Sequence, residues 1–147
     1  MYKRILVPVD GSPTSARGLR EALRLAKDQG ARVRLVHVVD ESMAIGVAES
    51  GVDLEPMLEG LVASGKRILK RAGDAAKKAG VRAESQIYES MGGSAAATIL
   101  RDARKWRPQL IVMGTHGRRG IRRLVLGSDA EHVLREATVP VLLVRGR

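Results

Sequence analysis

The chain of 147 residues has no cysteine and no phenylalanine, one tryptophan (Trp106) and two tyrosines, Tyr2 and Tyr88. Without thiols there are no disulfides, no thiolate zinc sites and no cysteine nucleophiles, which agrees with a reducing compartment. With so few rings the core must be built from Val, Leu, Ile, Ala and Met, and the stacking platforms typical of single-strand binders are missing. No apolar run approaches the roughly 20 residues needed to cross a bilayer. The start, MYKRILVPVDG, is too short in its apolar part for a signal peptide and reads as a strand. These absences predict a soluble, cytoplasmic protein. Two phosphate motifs are also lacking. No G-x-G-x-x-G follows the first strand, and GLVASGKR from Gly60 has Arg67 where a P-loop needs a hydroxyl and lies in a predicted helix.

What is present is charge and aliphatic surface. Apolar residues make up 44% of the chain, enough for a real core, and its length fits one domain over 1–147. The formal net charge is +10, which raises nucleic acid, acidic lipid and phosphate ligands as partners. From Arg101 onward there are eleven Arg or Lys against four Asp or Glu, so the excess concentrates in the last third.

Periodicity divides the chain into alternating strands and helices. RILVPV (Arg4–Val9) is a short β-branched run, followed by Asp10-Gly11-Ser12-Pro13, where Ser12 suits an N-cap and Pro13 a first helical position. Ala16, Leu19, Leu23 and Ala26 recur at helical spacing up to Gly30. Val33–Val39 is a second strand, with His37 read as a packed sheet residue. Residues 40–56 show no clean period and are expected to form a long loop with room for a helical turn. Leu58 to Ala79 form a long amphipathic helix closed by Gly80. Val81–Tyr88 is a more polar third strand, suited to a sheet edge. Gly92-Gly93-Ser94 is expected to be a plain helix cap for the segment carrying Ile99, Leu100, Ala103 and Trp106. Leu110–Met113 is apolar throughout, as a strand buried on both faces should be. Ser128–Ala137 is a helix and Val141–Val144 a last strand. The alternation predicts an α/β fold with a parallel sheet, helices on both faces and right-handed crossovers.

Ligands of such sheets bind beyond the carboxyl ends of the strands, where strand order reverses. The stretch after the fourth strand, GTHGRRGIRRLVLGSDAE, is the strongest candidate. Gly114 allows close backbone approach. Gly127-Ser128 opens a helix whose N-terminal amides favour an anion, and Arg118, Arg119, Arg122 and Arg123 bring positive charge. Ser128 and Glu131 also fit a capping box, S-x-x-E, which would serve with no ligand present.

The spacing Gly114, two residues, Gly117, nine residues, Gly127-Ser128 resembles the G-2x-G-9x-G-[ST] signature of the universal stress protein family. KRILVPVDGS, LVHVVD and VPVLLVR resemble its first, second and last strands. The resemblance implies a doubly wound five-stranded parallel sheet of order 3-2-1-4-5. It also implies an adenine nucleotide (ATP, ADP or AMP) with a divalent ion, Mg, held through the phosphates near Ser128. Carried over, Asp10 would lie near the ribose, with Ser12 in the same turn. Pro8, Val9 and Val38 would line the adenine, Met113 would pack on the base, and the Gly114 backbone would approach the ribose. His116, Gly117 and Arg118 would border the phosphates, with Gly127, Ser128 and the Asp129 amide around the β- and γ-phosphates. Many members have a small or apolar residue in place of Asp129. The resemblance also implies a homodimer through Val141–Val144, whose edge invites pairing.

No nucleophile–base pair is visible; a hydrolase would need a carboxylate to orient a water at the γ-phosphate, and Asp129, the only nearby candidate, suits that role poorly. His37, His116 and His132 have no metal-site spacing. The expectation is a nucleotide-binding sensor or signalling module of the stress response. The alternatives are a slow ATP hydrolase, or a basic protein binding nucleic acid nonspecifically.

Overall fold

Strand β1 (Arg4–Pro8) occupies the middle of a five-stranded, all-parallel sheet of order β3-β2-β1-β4-β5. The other strands are β2 (Arg32–Asp40), β3 (Ala83–Ser90), β4 (Leu110–Gly114) and β5 (Val141–Val144). The helices are α1 (Pro13–Gln29), α2 (Ser42–Ala48), α3 (Glu55–Ala79), α4 (Ala95–Trp106) and α5 (Ser128–Glu136). This computed structural model describes residues 1–48, 50–90, 92–115 and 126–146.

Alternation along the strands divides the core between two faces. Ile5, Val7, Val33, Leu35 and Val112 pack against α1 and α3, whereas Leu6, Val36, Ile111 and Met113 pack against α4 and α5. β4 contributes to both, and its first four residues are all buried. The crossover through α4 therefore lies on the opposite face from those through α1 and α3, and strand order reverses between β1 and β4.

The expected caps form. Ser12 Oγ accepts from Ser15 N–H at 3.1 Å at the start of α1, and Ser94 Oγ accepts from Ala97 N–H at 3.1 Å at the start of α4. Gly30 and Gly80, at φ 59° and 74°, end α1 and α3 in the left-handed conformation that glycine adopts at low cost.

Two expectations shift. β3 runs two residues later than its hydrophobic pattern indicated, because its extent is set by the strand beside it. It pairs with β2 from Val33↔Ala83 to Asp40↔Ser90, and at an edge its own side chains need not alternate cleanly. Within 40–56 the chain makes a seven-residue helix, α2, nucleated by an Asx turn in which Asp40 Oδ1 accepts from Ser42 N–H at 2.9 Å.

Candidate functional site

Two turns meet where the strand order reverses. After β1, Asp10 Oδ1 accepts from Ser12 N–H at 2.8 Å, and Asp10 N–H donates to Ser15 Oγ at 3.2 Å. Asp10 thus stiffens the turn, with Gly11 at φ 81°. Behind it lies His37, 5% exposed, whose Nδ1 is 2.7 Å from the Val9 carbonyl. The ring packs so closely on α3 that a Cβ on Gly65 would come within 2.6 Å of it. His37 is a packed sheet residue, as expected, and it also anchors the end of β1.

After β4, Thr115 is the residue that sequence reasoning passed over. It is buried, its N–H donates to the Val144 carbonyl at 3.0 Å, and its carbonyl accepts from Gly127 N–H at 2.8 Å. That second bond closes the connection between β4 and α5 at its base and sets the N-terminus of α5 against the end of β4. The intervening residues, with His116, Gly117 and Arg118, lie outside the described residues, as do Arg119, Arg122 and Arg123. The Thr115 signal was readable only as a polar residue between Gly114 and the loop.

The N-terminus of α5 differs from the expected capping box. Gly127, extended at φ −60° and ψ 147°, is the N-cap, so Ser128 is already the first helical residue and no side chain caps this end. A residue inside the helix cannot reach back over the N3 amide as a capping side chain does. The first intrahelical bond runs from Glu131 N–H to the Gly127 carbonyl. The amides of Ser128, Asp129 and Ala130 precede it and stand at the positive end of the helix dipole. The Ser128 side chain is exposed.

The Asp129 carboxylate turns away from its own helix end. Its Oδ1 accepts from Ala96 N–H at 3.1 Å, in the first turn of α4. This carboxylate is therefore occupied by the positive end of a neighbouring helix. Ser94 Oγ and His132 Nδ1, 3.4 Å apart, and a contact of 3.1 Å between His132 Nε2 and Glu136 Oε1 continue this seam between α4 and α5.

The remaining candidates fall around the same crevice but not on one side of it. The Val9 side chain is buried in the α1/α3 core, while Val38 and Met113 belong to the α4/α5 core. The Val9 backbone is engaged within the sheet, its N–H donating to the Val36 carbonyl at 2.8 Å and its carbonyl lying 2.7 Å from His37 Nδ1. Pro8 is half-buried, beside Val36 of β2. Gly114 sits under α1, where any Cβ would lie 2.8 Å from the Thr14 carbonyl carbon. Among the described residues no group of three or more His, Asp or Glu is arranged to hold a metal ion.

Comparison with known proteins gives the same answer over the whole chain. A profile of the universal stress protein family matches residues 1–145. A universal stress protein of Methanocaldococcus jannaschii is 37% identical over 145 residues, spanning 99% of this chain and 83% of that protein. The solved structure of a second protein of that name from the same organism superposes with a TM-score of 0.85 at 26% identity, covering 100% of this chain and 98% of the other. A universal stress protein from Archaeoglobus fulgidus in complex with dAMP superposes with a TM-score of 0.69 at 26% identity, covering 97% and 98%.

Proposed function

Because the chain belongs to the universal stress protein family, we propose that it binds an adenine nucleotide between the ends of β1 and β4, as a single-domain cytoplasmic sensor or signalling module. The observation that carries this reading is the bond from Gly127 N–H to the Thr115 carbonyl, which brings to the strand-order reversal three helix amides that have no partner among the described residues. The dAMP complex of the Archaeoglobus fulgidus relative supports the ligand class. Asp10 and Ser12 would face the ribose, with Pro8, Val9, Val38, Met113 and Gly114 around base and sugar. Ser128 and the Asp129 amide would meet the phosphates, together with Gly127, His116, Gly117 and Arg118. Since no described cluster suits a metal, Mg would arrive with the phosphates and near the Ser128 hydroxyl.

The engagement of Asp129 with Ala96 favours binding over hydrolysis, because it removes the one carboxylate proposed to orient a water. Calorimetry with Mg-ATP tests both points. Saturable binding is expected, weakened about fivefold to tenfold by Ser128→Ala through loss of one hydrogen bond. Turnover is expected to stay below about one per second. No binding at millimolar ATP would sink the proposal, and faster turnover abolished by Asp129→Asn would restore the hydrolase. No helix among the described residues is long and apolar enough to cross a membrane.

The same reading includes a homodimer through β5. This strand ends the sheet, and Leu142 on it is 41% exposed. An unpaired apolar edge is a template for a second chain. Sedimentation at micromolar concentration should give a dimer, and Leu142→Arg should shift it toward monomer. A monomeric parent protein would end this part of the reading.

A further inference from the structure

On the β2–β3 side of the sheet's carboxyl end, α3 stands over a cleft of about 490 Å³ that shares no residue with the nucleotide crevice. In a chain of net charge +10, this cleft is acidic. Glu41 follows β2, Glu89 lies near the end of β3, and Glu55 and Glu59 come from the first turns of α3. Lys66 is the one basic residue lining it, so the formal charge of four carboxylates and one ammonium is −3. Leu58 and Val62 form an apolar wall between the charges.

Glu41 is the unusual member. It is only 6% exposed. Its backbone is satisfied, N–H to the Ser90 carbonyl at 3.1 Å and carbonyl from Ala44 N–H at 2.9 Å. Its carboxylate has no hydrogen bond or ion pair among the described residues. A buried carboxylate without a partner is costly, and such a group calls for an explanation. Glu55, Glu59 and Glu89 are exposed and would be unremarkable alone, since Glu55 also suits the helix dipole. A point ion does not explain the set, because no three described acidic groups lie close enough to share a metal. Carboxylates spread along a partly apolar cleft instead match a cation whose charges are separated by methylene groups.

The geometry points to a binding site for a linear aliphatic polyamine, with one ammonium donating to Glu41 at the buried end, the others to the rim glutamates, and the methylenes on Leu58 and Val62. A triamine would balance the −3. General attraction cannot produce such binding, because the protein as a whole repels cations. The test is calorimetry of the full chain with spermidine at low ionic strength. Saturable one-site binding is expected, weakened about tenfold by Glu41→Gln, which removes a charge-assisted hydrogen bond. Lys66→Met removes the competing cation and should tighten binding severalfold. If Glu41→Gln fails to fold, the direction of the Lys66→Met change decides by itself. The proposal is overturned if spermidine does not saturate at millimolar concentration, or if both variants bind like the parent. It is equally overturned if Mg ions compete as well as spermidine at equal ionic strength, or if a lysine oligopeptide binds where spermidine does not.

Discussion

Replacing Asp102 with alanine is expected to cost about 3–5 kcal/mol of folding stability, the range for breaking a buried ion pair from one side. Asp102 lies on the inner face of α4 with its side chain fully buried. Arg34 reaches it from β2 with a bidentate grip, Nε to Oδ2 and Nη2 to Oδ1, both at 2.8 Å. The Tyr88 hydroxyl, from β3, donates to the same Oδ1. Arg34 also approaches Glu84 at 3.4 Å, and its guanidinium stands 5.8 Å from the centre of the Trp106 ring. One carboxylate thus ties α4 to two strands, and its removal takes the acceptor from a phenol and leaves the guanidinium only the longer pair with the half-exposed Glu84. The hydrogen bonds that Arg34 donates to Asp102 raise its pKa, and even without them an arginine stays protonated near neutral pH, so the charge left behind does not neutralise itself. Urea unfolding measures the loss, and a change below about 1 kcal/mol would mean that water or a rearranged side chain replaces Asp102.

The same cluster gives the protein an alkaline limit. Burial, and then the hydrogen bond to Asp102, raise the Tyr88 pKa above its ordinary value of 10.0. A folded-state pKa above the unfolded one contributes stability that is complete below about pH 10 and is lost as pH rises through the folded value. Tyr88→Phe should flatten that fall; an unchanged slope between pH 9 and pH 11 would place its origin elsewhere.

A side chain at Gly114 is the second large effect, expected to cost about 1–3 kcal/mol and to weaken nucleotide binding. The Cβ of Gly114→Ala would lie 2.8 Å from both the carbonyl carbon and Cγ2 of Thr14 and 2.9 Å from its carbonyl oxygen. Two of those atoms are backbone in the first turn of α1, so relief requires the helix to move. The contact is tight from the other side as well, since a Cβ on Gly18 would meet Gly114 N at 3.1 Å. The first turn of α1 carries Ser12 and Ser15, which hold the Asp10 turn, so a displaced α1 disturbs one wall of the crevice. Denaturation and calorimetry of Gly114→Ala should therefore change together. Full stability with lost binding would instead assign the glycine to the ligand alone.

The glycine is a case where the sequence was legible and its reason was not. The signature spacing located Gly114 and Gly127, and the apolar run before it located β4. In the sequence, the need for glycine at 114 reads as room for a ligand; the structure adds a second reason, since α1 leaves no space for a Cβ there. Ser128 reads as a cap because S-x-x-E is a local pattern, whereas the extended backbone at Gly127 places the cap one residue earlier. The direction of Asp129 was beyond reach, since its partner Ala96 is 33 positions away in sequence.

The sequence by itself determined the alternation of strands and helices, the capping of α1 and α4, the edge character of β3, and the turns that follow β1 and β4. All of these follow from periodicity, turn chemistry and caps, which act over a few residues. Only the tertiary structure decided what the buried polar groups do: Asp102 against Arg34 and Tyr88, His37 against Val9, Asp129 on α4, and Glu41 with no partner among the described residues. A buried charge is defined by what surrounds it, and those surroundings are assembled from elements far apart in the chain.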